Sequence, residues 1–431
     1  MAQRIYRKAL DSIMELTAKQ EQALKLAVAN YNFGLPYTVI AGYAGSGKST
    51  LVKYIISALN LNPEEDVCYV AYTGKAAQVL KQKGCPNAMT AHKLLYHAQQ
   101  TKSGNYIFKP KSYIEESPKL IVVDEVSMIP QEIWDLLMRH RIHVLALGDP
   151  EQLPPVKEDC NEILEHPHIF LDEIMRQAQE SAIIRLSMHI REGKDFRTFE
   201  SVPGEVRIVP KRFLFNDEDM AVLQASQIIC GTNNQRFELN DRVRKLQGRG
   251  VIPEPGDKIV GLKNHWDFCS QQGNALTNGS LGELLEYEHF IQTYPDDKAF
   301  KDFPPTDIIY TNMRTEDGDE FLRIPIDYKA LTTGVRALTY AQDYELGQYN
   351  KKIQKKILRT GNFKWAEDFR DIPYEFNYGY AITCWKSQGS QYKNVLGYDC
   401  SWLKKKDPDQ YRKYLYTLVT RAEEKLILVG D

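Results

Sequence analysis

Gly42-Tyr-Ala-Gly-Ser-Gly47-Lys48-Ser49 fits, at every required position, the loop that proteins wrap around the phosphates of ATP or GTP. Working outward, Tyr37-Thr-Val-Ile-Ala41 reads as a buried strand entering the loop. Ser49 to Leu59 reads as the helix leaving it, with Leu51, Val52, Ile55 and Leu59 at helical spacing. Gly42, Gly45 and Gly47, with Ser46 between them, let main-chain N–H groups curl around phosphate oxygens. The helix N-terminus, at Ser49 and Thr50, adds partial positive charge. Lys48 is placed to reach the β- and γ-phosphates, and the Ser49 hydroxyl to hold Mg²⁺. The stretch predicts a nucleoside triphosphate site inside a parallel α/β fold.

A chain of 431 residues is too long for one compact core, so roughly two to four domains are expected. With 43% hydrophobic and 26% charged residues the composition is that of a soluble globular protein. The formal charge of -2, from 55 basic and 57 acidic residues, leaves nucleic acid open as a partner. Binding it needs a local basic groove, not a basic whole. Seven cysteines (Cys68, Cys85, Cys160, Cys230, Cys269, Cys384, Cys400) are scattered without a C-x-x-C pair, against a disulfide framework or a zinc knuckle. Met1 to Leu16 lacks the apolar run of a signal peptide, and no segment approaches the roughly 20 apolar residues that span a bilayer. A soluble protein of the cell interior is expected.

Strand candidates at Thr38–Ala41, Val67–Tyr72, Leu120–Val123 and Val144–Leu147 alternate with helical patterns. Turn chemistry at Gln99 to Asn105, followed by Tyr106-Ile-Phe108-Lys109, predicts a small inserted hairpin. A second α/β region begins near His166, and Pro253-Glu-Pro-Gly-Asp257 marks a boundary. Lys258 to about Asp327 looks β-rich, with hairpin signals at Asn278-Gly279 and Asp317-Gly318. Tyr374 to Asp431 returns to α/β character. The expected domains are therefore 1–165, with its insert at about 93–118; 166–257 joined to 374–431; and an inserted domain over 258–373.

Leu120-Ile-Val-Val-Asp124-Glu125 is an apolar strand ending in two carboxylates. Asp124 is placed to bind Mg²⁺ through water and Glu125 to polarise the attacking water as general base. Gly148-Asp-Pro-Glu-Gln152-Leu-Pro-Pro-Val156 follows another strand, so it projects from the carboxyl edge of a sheet, where ligands bind.

Taken with that string, the chain resembles a superfamily 1 helicase, nearest to the subgroup of the phage Dda helicase and the RecD-like helicases. The resemblance runs through an ordered series of motifs and is weakest in the β-rich segment. It implies two RecA-like P-loop NTPase domains, the hairpin in the first and an SH3-like β-barrel in the second. By the same resemblance Gln20, in Leu16-Thr-Ala-Lys-Gln20, reads adenine through its amide. Gln152 senses the γ-phosphate, and Arg176 and Arg421 reach it from the second domain as always-charged, bidentate guanidinium groups. Gly389 joins the ATP-binding residues.

By the same resemblance the DNA side falls to Thr73, Gly74 and Lys75; Thr90 and His92; Asn233; and Thr383, Trp385, Lys386 and Ser387, each of which is either a DNA contact or a capping or core residue. Trp385 departs from the histidine usual in relatives; an indole there either stacks on a base or packs under the loop. Tyr106 and Phe108 stand where relatives carry a strand-separating pin. Lys351, Lys352, Lys355 and Lys356 form a basic helix face that is a solvated surface or a phosphate contact.

The expectation is an ATP- and Mg²⁺-dependent helicase moving 5′-to-3′ on single-stranded DNA, acting on tailed duplexes in replication, recombination or repair. It is expected to be a monomer in bacterial or phage-infected cytoplasm, with single-strand-binding or replication and recombination proteins as partners. The alternatives are a RecD-like motor subunit of a recombination or nuclease assembly, an ATP-switched single-strand-binding remodeller, and an RNA-directed helicase.

Overall fold

The computed structural model describes residues 16–430 apart from 101–105, 115–117, 155–161, 212–220, 272–274, 297 and 316–317. The chain divides into two compact units. One holds Met1–Leu95, Pro110–Gly231 and Thr383–Asp431; the other holds Tyr96–Lys109 and Thr232–Ile382.

The first unit is built on two parallel sheets. One has the strand order Met89–Thr90, Val67–Ala71, Leu120–Val123, His143–Gly148, Tyr37–Gly42 and Ile169–Leu171. Its strands are continuous apolar runs because helices cover both faces, as parallel sheets require. Ile40, Leu51, Ile55, Leu120, Val122 and Leu145 lie in one buried cluster with the helix Lys48–Ala58. Burying each such side chain contributes about 1.5–3 kcal/mol. The second parallel sheet of this unit runs Gln227–Cys230, Tyr392–Tyr398, Ala422–Val429, Val206–Val209.

In the first sheet, the strands at Tyr37–Gly42, Val67–Ala71, Leu120–Val123 and His143–Gly148 all deliver loops at the same, carboxyl, edge. Those loops carry Gly42–Lys48, Tyr72–Thr73, Asp124–Glu125 and Asp149–Gln152.

The second unit centres on an antiparallel sheet ordered Glu320–Asp327, Thr306–Thr315, Leu281–Gln292, Lys258–Gly261, Phe376–Tyr378. Leu284, Ile309, Met313, Phe321, Ile324 and Phe376 form its core. The helix Tyr340–Thr360 begins at a capping box of Thr339 and Gln342 and stops at Gly361, whose φ of +63° is the left-handed conformation that ends helices. The strands Tyr96–Gln100 and Tyr106–Pro110 pair as a two-stranded hairpin. The side chains of Tyr106 and Phe108 lie outside the described residues.

Two expected boundaries shift. The strand Ile169–Leu171 pairs with Ile40–Gly42, so a break at 165/166 falls one strand too early. A three-residue strand behind the turn His166-Pro-His168 carries no periodicity that assigns it to a sheet. Likewise Phe376–Tyr378 pairs antiparallel with Ile259–Gly261, so residues 374–378 continue the β-rich segment.

Candidate nucleotide-binding site

One cavity of the first unit is lined by Gly45, Lys48, Ser49, Thr73, Asp124, Glu125, Asp149, Gln152, Gly389 and Arg421, among others. The phosphate loop shapes one wall. Gly45 and Gly47 have φ of +79° and +80°, a conformation open to glycine at little cost. A Cβ at Gly42 would stand 2.8 Å from Ser46 Oγ and 2.9 Å from the Leu171 carbonyl oxygen, so the loop closes only over glycine there. Lys48 Nζ donates to the carbonyl oxygens of Gly42 (2.5 Å) and Tyr43 (2.9 Å). Ser49 and Thr50 are exposed on the first turn of the helix.

The opposing carboxylates come from strand ends. Glu125 takes a left-handed backbone, φ +52° and ψ +50°, which costs a non-glycine residue about 1–2 kcal/mol. Strain of this kind clusters where function needs a side chain aimed against its preference; here it turns Glu125 into the cavity. Burial, and then Glu125, push the Asp124 carboxyl above its usual range, against Lys48. Burial pushes Asp149 up as well. Burial pushes Lys48 down, against the pull of Asp149, Asp124 and Glu125. These shifts all have desolvation as their largest cause, so the site holds charge that its own groups under-solvate. Gln152 Oε1, Gln388 Oε1 and Ser46 Oγ are buried without a hydrogen-bond partner in the protein. Of these, Gln152 and Gln388 line the cavity, where water or a bound group can reach them.

Arg421 follows the helix Pro408–Val419 and is 4% exposed. It donates to the Thr417 and Ser390 carbonyl oxygens, both at 3.2 Å, and stands 3.6 Å from Glu125 Oε1. Gly389, at φ +74°, backs onto Ala76 so closely that a Cβ would lie 2.5 Å from the Ala76 Cβ.

Gln20 is buried behind the loop. Its Oε1 accepts from the Thr17 N–H (3.0 Å) and its Nε2 donates to the Ser46 carbonyl oxygen (3.0 Å). Both ends of the amide are thus engaged within the chain. Arg176 opens the helix Arg176–Glu180; its side chain lies outside the described residues. Its backbone neighbour Met175 donates to the Gly45 carbonyl oxygen (3.0 Å), so this segment runs along the phosphate loop directly after the last strand of the first sheet.

The residues expected to touch DNA divide. The Thr73 hydroxyl caps the helix Gly74–Gln82, accepting from the Ala76 N–H (3.2 Å), and Thr73 lines the same cavity as Lys48. Lys75 donates to the Tyr392 hydroxyl at 3.2 Å. Thr90 is buried and accepts from the Lys93 N–H (3.1 Å), while the His92 ring lies 5.8 Å from that of Tyr72. Asn233, in the other unit, is exposed at the start of the helix Asn233–Leu246. Thr383 is buried, Trp385 is half-buried with its ring centroid 6.1 Å from that of Tyr414, and Lys386 is half-buried. Ser387 is fully buried and donates to the Cys384 carbonyl oxygen (2.7 Å), so its hydroxyl does not face solvent.

Sequence reasoning passed over Asp149, Gln388 and Tyr416. Asp149 lay inside a quoted string, and its burial was the missing signal. Gln388 and Tyr416 also stand inside motif strings, Tyr380 to Ser390 and Tyr414 to Ala422, without a role of their own.

Residues 15–208 match the AAA domain family and residues 378–429 the UvrD-like helicase C-terminal domain. An uncharacterized protein of Acanthamoeba polyphaga mimivirus is 36% identical, over 90% of this chain and 94% of its own. The ATP-dependent DNA helicase dda of Enterobacteria phage T4 is 26% identical, over 96% of this chain and 99% of its own. Among solved structures, the Pif1 helicase from Bacteroides in complex with ADP-AlF3 and single-stranded DNA shares the fold, with a TM-score of 0.51 at 16% identity over 96% of this chain and 92% of that one. The two parallel sheets are two RecA-like domains that meet around one nucleotide cavity. The chain belongs to the superfamily 1 DNA helicases, in the subgroup of the Dda, RecD-like and Pif1 enzymes.

Proposed function

We propose that this chain is an ATP-dependent DNA helicase that moves 5′-to-3′ along single-stranded DNA and opens the duplex ahead of it. One observation carries the reading: Arg421, from the second RecA-like domain, faces Glu125, from the first, across the cavity that also holds Lys48 and Asp124. A cavity walled by two domains changes shape when either moves, so bound nucleotide and domain closure are linked. A guanidinium reaching a γ-phosphate in this way accelerates hydrolysis by roughly 10³–10⁵. Opening a base-pair step costs on the order of 1.4 kcal/mol, so one closure per ATP suffices to drive the chain forward.

The donor set fits a hard divalent cation. The exposed Ser49 hydroxyl and the Asp124 carboxylate supply oxygen ligands, and a carboxyl raised by burial gains from a cation beside it. Mg²⁺ held there supplies charge neutralisation of the polyphosphate. Lys48 then orients the β- and γ-phosphates, Glu125 accepts the proton of the attacking water, Gln152 senses the γ-phosphate, and Arg421 with Arg176 stabilises the departing charge. Gln20 closes the adenine end by exchanging one of its internal bonds for the base. On the DNA side, Thr73–Lys75, Thr90, His92 and the segment from Thr383 to Lys386 contact the strand in the first unit; in the other unit Asn233 is a DNA contact of its own and the hairpin of Tyr106 and Phe108 serves as the separating pin. The β-rich segment is an SH3-like module. The protein acts as a monomer in the cell interior beside single-strand-binding, replication or recombination proteins.

The deciding experiment measures ATPase rate with and without single-stranded DNA, then unwinding of 5′-tailed against 3′-tailed duplexes. Strong stimulation with a 5′-tail preference is expected. A 3′-tail preference overturns the direction, and no stimulation by DNA, or greater stimulation by RNA, overturns the substrate.

A further inference from the structure

The segment following the strand His143–Gly148 is gripped at every second residue. Asp149 Oδ2 accepts a hydrogen bond from the Tyr416 hydroxyl at 2.7 Å. Glu151 is ion-paired with Arg412. Leu153 donates its N–H to Thr417 Oγ1 (2.9 Å), and its carbonyl oxygen accepts from Gln388 Nε2 (2.6 Å). The segment turns as it leaves the strand: the Gln152 N–H donates to the Asp149 carbonyl oxygen (3.2 Å) and the Glu151 N–H to Asp149 Oδ1 (3.1 Å). Arg412, Tyr416 and Thr417 all come from the helix Pro408–Val419 of the second domain. Asp149 and Gln152 both line the nucleotide cavity.

Tyr416 does more than hold this segment. Its hydroxyl also accepts from the main-chain N–H of Ala44, inside the phosphate loop, at 2.9 Å. The side chain is 1% exposed and Asp149 is 2% exposed, so no bulk water competes for either bond. A phenol both donates and accepts, so one oxygen completes an N–H of the phosphate loop and a buried carboxylate together. Phenylalanine has the same shape and does neither.

We propose that Tyr416 is a positioning residue for the ATPase, tying the phosphate loop and Asp149 to the second domain through one hydroxyl; this rests on the helicase reading given above. When the second domain swings away, both bonds break together. The phosphate loop and the Gln152 segment therefore change state as one, and closure restores both in one step.

The test compares Tyr416→Phe, Asp149→Asn, their double variant and Thr417→Val in the full chain. In Tyr416→Phe, DNA-stimulated kcat falls about tenfold while KM for ATP moves less than about twofold, as expected for lost transition-state positioning. Residue-resolved hydrogen exchange of the nucleotide-free protein shows Ala44 losing protection. The double variant is no slower than the slower single one, because both act through one bond. Thr417→Val, which removes only the neighbouring bond to Leu153, keeps Ala44 protected. Unchanged exchange at Ala44 in Tyr416→Phe, or additive losses in the double variant, overturns the proposal. Exchange at Ala44 is read without ATP or DNA. An inactive wild type thus defeats the helicase reading separately from the tether, and unchanged exchange defeats the tether with the helicase reading intact.

Discussion

Each compact unit of this chain buries a cluster of charge, and the two are finished differently. In the β-rich unit Asp257 is fully buried and accepts from Arg244 Nε (3.0 Å) and Nη2 (3.2 Å), the Glu254 N–H (2.7 Å) and the Tyr380 hydroxyl (2.8 Å), with Arg249 3.1 Å away. Its lone pairs are used up. In the parallel unit Lys48, Asp124 and Asp149 are shifted by burial, and acceptors on Gln152 and Gln388 have no partner in the protein. A completed network holds a fold together, whereas an incomplete one is shaped for something that arrives. The first cluster should therefore matter to stability and the second to turnover.

Lys48→Ala should sharpen the contrast most. We expect ATP hydrolysis to fall by at least about 10³-fold, since the phosphate charge loses its direct partner. The melting temperature should hardly change, because the lysine is under-compensated in the free protein. A large loss of stability with retained turnover would break the comparison. Glu125→Gln comes next: hydrolysis slowed by about 10²–10⁴-fold, with nucleotide affinity near normal in a fluorescent-nucleotide titration. Weakened binding with turnover preserved would remove Glu125 from the role of base.

Asp257→Ala reverses the pattern. Removing one partner strands the buried Arg244, for a loss of about 3–5 kcal/mol in urea unfolding. Nucleotide affinity of the remaining folded protein should be unaltered. The smallest effect is pH-linked. His265 stacks on Tyr374 with ring centroids 3.5 Å apart, and burial, helped by Lys263, lowers its pKa from 6.5 to about 4. The unfolded chain takes up the proton first, so this contribution is full above pH 6.5 and is lost as pH falls towards 4. His265→Phe should keep the stacking and flatten the acid limb of a stability–pH curve; an unchanged curve would show that His265 is not its source.

What could be read beforehand follows the range of the forces involved. The phosphate loop, the strand ending in Asp124-Glu125 and the strand before Gly148 are local patterns, each complete within about ten residues. They appear in the structure within one or two residues of their expected bounds. The strands Ile169–Leu171 and Phe376–Tyr378 were harder, because three residues carry too little pattern to say which sheet will take them. Tyr416 was illegible for a different reason. Its two partners lie 267 and 372 residues away, and no periodicity encodes a hydrogen bond at that distance. The left-handed Glu125 also had no signal, since its strain is imposed by what surrounds it.

Gly389 carries a last consequence. Its backbone sits where the smallest possible side chain would already collide with Ala76, on the facing domain. The residue acts as the gap in a doorframe: fully shut is possible only while nothing protrudes there. A methyl group at this point would push against Ala76, would stand 3.5 Å from Glu125 Oε2 and would strain a backbone at φ +74°. On the helicase reading, the close approach of the two RecA-like domains at this point depends on the absence of a single carbon atom.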